Sequence, residues 1–122
     1  MKFTAEVIKG SGRGKSLGTP TLNLDTTKVP QEVAEGVYAI FAFIEGEQHD
    51  AVMHYGPRPV FRDTLSCEIH LINEPIEHVE VVTVHVLERL RDVADFPTPD
   101  DLRMQIALDI QNAREIIRNA HH

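Results

Sequence analysis

Residues 79–88 read VEVVTVHVLE, and their alternation decides the fold class. Val82, Val84 and Val86 fall on one side of an extended chain, with Thr83 and His85 on the other. That is the two-residue period of a strand with one face in a core. Outward from it, residues 65–72 (LSCEIHLI) make a second such run. Residues 36–45 (GVYAIFAFIE) are rich in β-branched and aromatic side chains, and Gly46 marks a turn into a partner run at 48–55. Residues 2–9 alternate weakly, and residues 19–24 are extended because Pro20 disfavours helix at its neighbour. Short strands with no helical pattern between them predict an antiparallel barrel or sandwich. The last segment differs. Thr98 is a good N-cap, Pro99 suits the first helical position, and Asp100 and Asp101 suit the positive helix end. Leu102, Ile106, Ile110, Ala113 and Ile117 recur at three- or four-residue steps, predicting an amphipathic helix laid over one side or mouth of the sheet.

At 122 residues the chain is expected to form one domain, residues 1–122. No apolar run approaches a membrane span, and the first residues lack the apolar stretch of a secretory signal. One cysteine, Cys67, cannot form an internal disulfide or a zinc cage. The expectation is a cytoplasmic protein with no membrane partner. His121 and His122 are set aside as a terminal pair without functional context.

A net charge of -7 argues against a nucleic-acid partner, and the absence of Trp removes the usual stacking platform. The charge is uneven. Residues 7–24 hold Lys9, Arg13 and Lys15 and no acid. A basic, glycine-rich island on an acidic chain suits a small anion, although a solvated loop carries the same composition. The island is not a P-loop, because Lys9 stands where the first glycine belongs. It is not a dinucleotide fingerprint either, because Leu17 follows the glycines and no helix does. What remains is backbone freedom at Gly10, Gly12, Gly14 and Gly18, which lets N–H groups turn toward a phosphate or simply makes a loop.

Thr21 and Asn23 lie two residues apart in an extended run and so offer two neutral oxygens on one face. Such a pair is a poor cage alone, but suits Mg²⁺ held mainly by phosphates and water, or else satisfies turn backbone groups. Glu68 and His70 likewise share a face, opposite Cys67, Ile69 and Leu71. A mid-strand carboxylate is an ordinary solvent-facing group, or a general base where that face lines a site. His49, His54, His78 and His85 show no metal-binding spacing and read as surface or core residues.

The order of these pieces resembles one family. A glycine-rich basic loop runs into Leu17-Gly18-Thr19-Pro20-Thr21-Leu22-Asn23-Leu24. Then come Val29-Pro30, Gly36-Val37-Tyr38-Ala39, and Tyr55-Gly56-Pro57-Arg58-Pro59-Val60-Phe61. Glu68-Ile69-His70-Leu71 follows, and Arg91 precedes Phe96 and the capped helix. The ordered set is similar to the riboflavin kinases of the bacterial and eukaryotic type. Thr19, Leu22 and Val60 depart from that family's usual Phe, Ala and Thr, and Val93 from its usual acid.

The resemblance implies a closed six-stranded antiparallel Greek-key barrel with a C-terminal helix. It implies transfer of the γ-phosphate of ATP to the 5′-hydroxyl of riboflavin, giving FMN. It carries Mg²⁺ onto Thr21 and Asn23, the catalytic base onto Glu68, and a flavin contact onto Arg91. Phosphate binding falls on Gly10, Gly12, Arg13, Gly14, Lys15, Gly18 and Thr21. Partners would be small molecules alone, acting on a monomer. With no nucleotidyl-transferase string, the expected end product is FMN. Thr21-Leu22-Asn23 also echoes part of the Gly-Thr-Leu-Asn string of the CTP-using archaeal enzymes, so CTP stands beside ATP as donor. A non-catalytic flavin-binding barrel is the other alternative.

Overall fold

In the computed structural model, which describes residues 1–8, 21–57, 65–73, 76 and 78–120, the alternating run is the last strand of a closed barrel. The strands are β1 (Lys2–Ile8), β2 (Leu22–Leu24), β3 (Gly36–Ile44), β4 (Glu47–Pro57), β5 (Leu65–Leu71) and β6 (Val81–Arg91). Their order around the barrel is β1-β2-β5-β4-β3-β6, closed by β6 on β1, with every pairing antiparallel. β3, β4 and β5 form a meander, and β6 returns to lie beside β3, which is a Greek key. Closure gives each strand a hydrogen-bonded neighbour on both sides.

The β3–β4 turn follows from two residues. Glu45 and Gly46 have φ of 50° and 83°, and a two-residue hairpin with both central φ positive is the type I′ turn that matches strand twist. Asp25 starts a short 3-10 turn, Thr26–Lys28, by accepting hydrogen bonds from the Thr27 backbone N–H at 3.0 Å and hydroxyl at 2.7 Å.

Side-chain alternation divides the barrel wall into two faces. The interior is filled by Leu24, Ile40, Met53, Ile69, Val82 and Val84, all fully buried, with Phe3, Tyr38 and Ile44. A six-stranded barrel is narrow enough for side chains to fill it. The outer face of β3 and β4 is also buried, because the helix α1 (Pro99–Ala120) lies over it. Val37, Ala39, Phe41 and Val52 pack there against Ala113 and Ile117. Burial on both faces explains why residues 36–45 read as a continuous apolar run rather than an alternating one.

The helix begins where the sequence places it. The Asp101 backbone N–H donates to Thr98 Oγ1 at 3.1 Å, and that hydroxyl donates to Asp101 Oδ2 at 3.0 Å. Its buried stripe is Leu102, Asp109, Ala113 and Ile117, so Ile106 and Ile110 are half-buried and an aspartate takes a place on the apolar side. The last strand also runs to Arg91, three residues past the expected end, with two irregularities in its register against β3. Among the described residues no helix is long and apolar enough to cross a membrane.

Candidate active site

The register assembles a row of side chains on the outer face of the barrel. Asn23 of β2 is the partner of Glu68 of β5, Glu68 of His54 of β4, His54 of Val37 of β3, and Val37 of Arg91 of β6. Directly opposed residues on one face bring their Cβ atoms to about 4.5–5.5 Å. Glu68 is therefore the cross-strand neighbour of both Asn23 and His54, although the three are far apart in sequence. Leu24 and Cys67, one residue along each strand, turn inward and anchor β2 and β5 to the core. Thr21 is half-buried and immediately precedes β2.

Arg91 closes the row, and each of its three guanidinium nitrogens donates a hydrogen bond. Nε donates to Asp109 Oδ1 at 2.9 Å and Nη2 to Oδ2 at 2.8 Å, a bidentate fork onto the helix. Nη1 donates to the Asp92 carbonyl at 3.0 Å, and the guanidinium lies 5.6 Å from the Phe96 ring centroid. Gln105 Nε2 adds a third hydrogen bond to Asp109, at 3.0 Å. The aspartate is 3% exposed, so this ion pair locks the helix to the barrel beside the row. The segment after β6 is drawn in at Gly56, whose φ is 149°. A Cβ there would stand 2.8 Å from Val93 Cγ2.

His54 is 7% exposed, and neither ring nitrogen has a hydrogen-bond partner; His70 Nδ1 is likewise buried and unpartnered. Burial first, then the positive charge of Arg91, holds His54 down to about 4. Burial first, then His54, does the same to His70, also to about 4. Both rings are neutral near pH 7. On the other face of β5, burial and then Glu68 push the Cys67 thiol up to about 12, so it stays an unreactive thiol.

The register sets Asn23 beside Glu68, with Thr21 just ahead of β2, and Arg91 pairs with Asp109. Gly10, Gly12, Arg13, Gly14, Lys15 and Gly18 lie outside the described residues. Sequence reasoning missed Asp109 and His54. The signal for Asp109 was an acid at a position four residues before Ala113 and eight before Ile117, in the apolar stripe. His54 gave no local signal, since its environment is made by β5 and α1.

The donor chemistry fits a magnesium ion held largely by substrate. No group of three or more His, Cys, Asp and Glu suited to a metal occurs among the described residues, which therefore form no all-protein cage by themselves. Asn23 and Thr21 offer hard neutral oxygens, with a carboxylate on the neighbouring strand, which is the partial set Mg²⁺ accepts alongside phosphates and water.

The family model described as riboflavin kinase matches residues 1–117. The chain belongs to the riboflavin kinase family. A bifunctional riboflavin kinase/FMN adenylyltransferase of Haemophilus influenzae is 30% identical over 116 residues, covering 93% of this chain and 37% of that one. The enzyme of the same description in Escherichia coli is 31% identical over 121 residues, with the same coverage of each chain. An RNA-binding riboflavin kinase of Bacillus subtilis is 31% identical over 107 residues, covering 85% of this chain and 46% of that one. The chain thus spans 37% of the length of the bifunctional relatives. Among solved structures, a macrolide-efflux protein from Streptococcus pneumoniae superposes with a TM-score of 0.79 at 26% identity, covering 93% of this chain and 38% of that one. That likeness carries the barrel, and a shared barrel does not by itself carry a shared function.

Proposed function

We propose that this chain is a riboflavin kinase that transfers the γ-phosphate of ATP to the 5′-hydroxyl of riboflavin, giving FMN and ADP. The observation that carries the reading is the pairing of Asn23 with Glu68 on adjacent strands, within a chain that matches the family over residues 1–117. Phosphoryl transfer asks a protein for positioning and charge neutralisation more than covalent chemistry. The attacking oxygen forms a bond to the γ-phosphorus while the bond to the bridging β–γ oxygen breaks, and ADP leaves. Glu68, half-buried at mid-strand, accepts the proton released by the attacking hydroxyl. Thr21 and Asn23 would hold Mg²⁺, which neutralises charge on the terminal phosphates when bound. Arg13 and Lys15, with the backbone N–H groups of Gly10, Gly12, Gly14 and Gly18, are the groups proposed to take up the phosphates.

Arg91 serves the flavin end indirectly in this reading. With its N–H groups on Asp109 and the Asp92 carbonyl, it fixes the segment between β6 and α1 rather than offering a free cation. The deciding experiment incubates the protein with riboflavin and MgATP, and separately MgCTP, and resolves the flavins by chromatography. FMN formed with MgATP is the expected result. FMN formed with MgCTP in its place would move the donor assignment, and unchanged riboflavin in both would reduce the chain to a binding barrel.

A further inference from the structure

The three buried side-chain atoms without partners, among the described residues, are the two ring nitrogens of His54 and Nδ1 of His70. All belong to the outer face of β4 and β5, beside Glu68. A buried polar group without a partner lowers stability, and an apolar side chain of the same shape avoids that cost. A phenylalanine at 54 would fill much the same space with no stranded nitrogen. The imidazole is therefore the wrong side chain for packing at this position, which points to a use in another state of the site.

We propose that His54 is a positioning residue for phosphoryl transfer: with substrates bound, its ring N–H holds the Glu68 carboxylate and aims it at the attacking hydroxyl. The inference rests on the kinase reading above. Three features support it. His54 and Glu68 are direct cross-strand partners on one face, which places the ring within reach of a carboxylate on a flexible stem. The ring is the enclosed member of the pair and Glu68 the more open one, so the ring can act as the fixed element. Burial and Arg91 keep the ring neutral, with one N–H to donate. An imidazolium in its place would lower the basicity of the carboxylate that has to take the proton.

The test compares His54→Phe and His54→Asn with the wild-type protein, each by thermal melt and by steady-state kinetics of FMN formation. His54→Phe should melt no lower than wild type, since it removes two stranded nitrogens. Its kcat should fall roughly ten- to a hundred-fold, the worth of one hydrogen bond to a charged group, with KM for riboflavin and MgATP nearly unchanged. His54→Asn, which restores an N–H donor, should regain most of the lost turnover. Should His54→Phe fail to fold, His54→Leu, which fits within the same volume, takes its place with the same expectations. Wild-type turnover in the apolar variant overturns the proposal. So does a loss that follows a fall in melting temperature and is not recovered by asparagine. A wild-type protein that makes no FMN overturns the kinase reading itself, and this inference with it.

Discussion

The inside of the barrel wall and the outer face of β3 and β4 are both buried, yet they are built from different chemistry. The interior cluster holds no charged side chain among the described residues. Among the described residues the buried polar ones, His54, Ser66 and Asp109, all belong to the outer side or to the helix that covers it. One strand shows the division at single-residue resolution. On β5, Cys67 and Ile69 point into the core, while Ser66, Glu68 and His70 point out. The interior is apolar because its side chains are buried against one another, where an unpaired polar group would be costly. The outer face carries polar groups in two conditions: Arg91 finds its partner on α1, whereas the His54 ring nitrogens have none. Adjacent residues on β5 should therefore fail in different ways.

The largest effect follows from the neighbours Glu68 and Ile69. Glu68→Gln keeps the shape and removes the ability to take a proton, so kcat should fall 10²- to 10⁴-fold, roughly 3–5 kcal/mol of activation energy. Its melting temperature should barely move. Ile69→Ala should do the reverse, costing about 2–5 kcal/mol of stability while the folded fraction keeps its turnover. Steady-state kinetics and denaturant melts on both variants check this. If Glu68→Gln retains more than about a tenth of wild-type turnover, the outer face has no base, and the two faces differ in packing alone.

The next effect tests whether the helix is held by charge as well as by apolar contact. Asp109→Ala leaves the Arg91 guanidinium beneath the helix without its carboxylate, and breaking such a pair costs about 3 kcal/mol. Asp109→Leu with Arg91→Met should recover much of it, because a buried ion pair is rarely worth more than good apolar packing. Failure of the double variant to recover would show that the pair specifies the geometry and not merely the adhesion of α1.

The same face should make the protein acid-sensitive. His54 and His70 are held at about 4 in the folded chain, against about 6.5 when unfolded. Above pH 6.5 both states carry neutral rings and stability is unaffected by them. Between about 6.5 and 4 the unfolded chain binds the protons first, so stability falls with pH by up to about 1.4 kcal/mol per unit for each ring. Thermal melts across that window check it, and His54→Phe should remove about half of the slope. A flat profile from pH 7 to 4.5 would mean that the rings are not enclosed.

Much of this was legible in the sequence for a physical reason. Strand alternation and helix capping are local, so the Val82-Val84-Val86 run and the Thr98 cap were visible without the fold. The ordered set of short motifs named Asn23 and Glu68 together, and the register makes them cross-strand neighbours. What stayed hidden was cross-strand and helix-made. The pairing of Glu68 with His54 depends on register between β4 and β5, which no single segment encodes. The commitment of Arg91 to Asp109 depends on how α1 lies on β6.

The smallest effect on stability is expected at Asn23. It sits in the three-residue β2, and its neighbours Leu22 and Leu24 already turn toward the core. Asn23→Leu changes a half-buried outer position that no interior contact uses, so the fold should lose less than about 0.5 kcal/mol. Its effect belongs to the ligand. Removing the amide oxygen takes away one of two neutral donors proposed for Mg²⁺, and a leucine beside Glu68 replaces it with methyl groups. Affinity for MgATP, followed by calorimetry, should weaken markedly, while riboflavin binding in the absence of nucleotide should stay as it was. A variant that unfolds would mean that this end of the outer row serves the barrel rather than the reaction. A variant that binds MgATP as tightly as wild type would free the amide from the metal, and the outer face would keep its base while losing its cation.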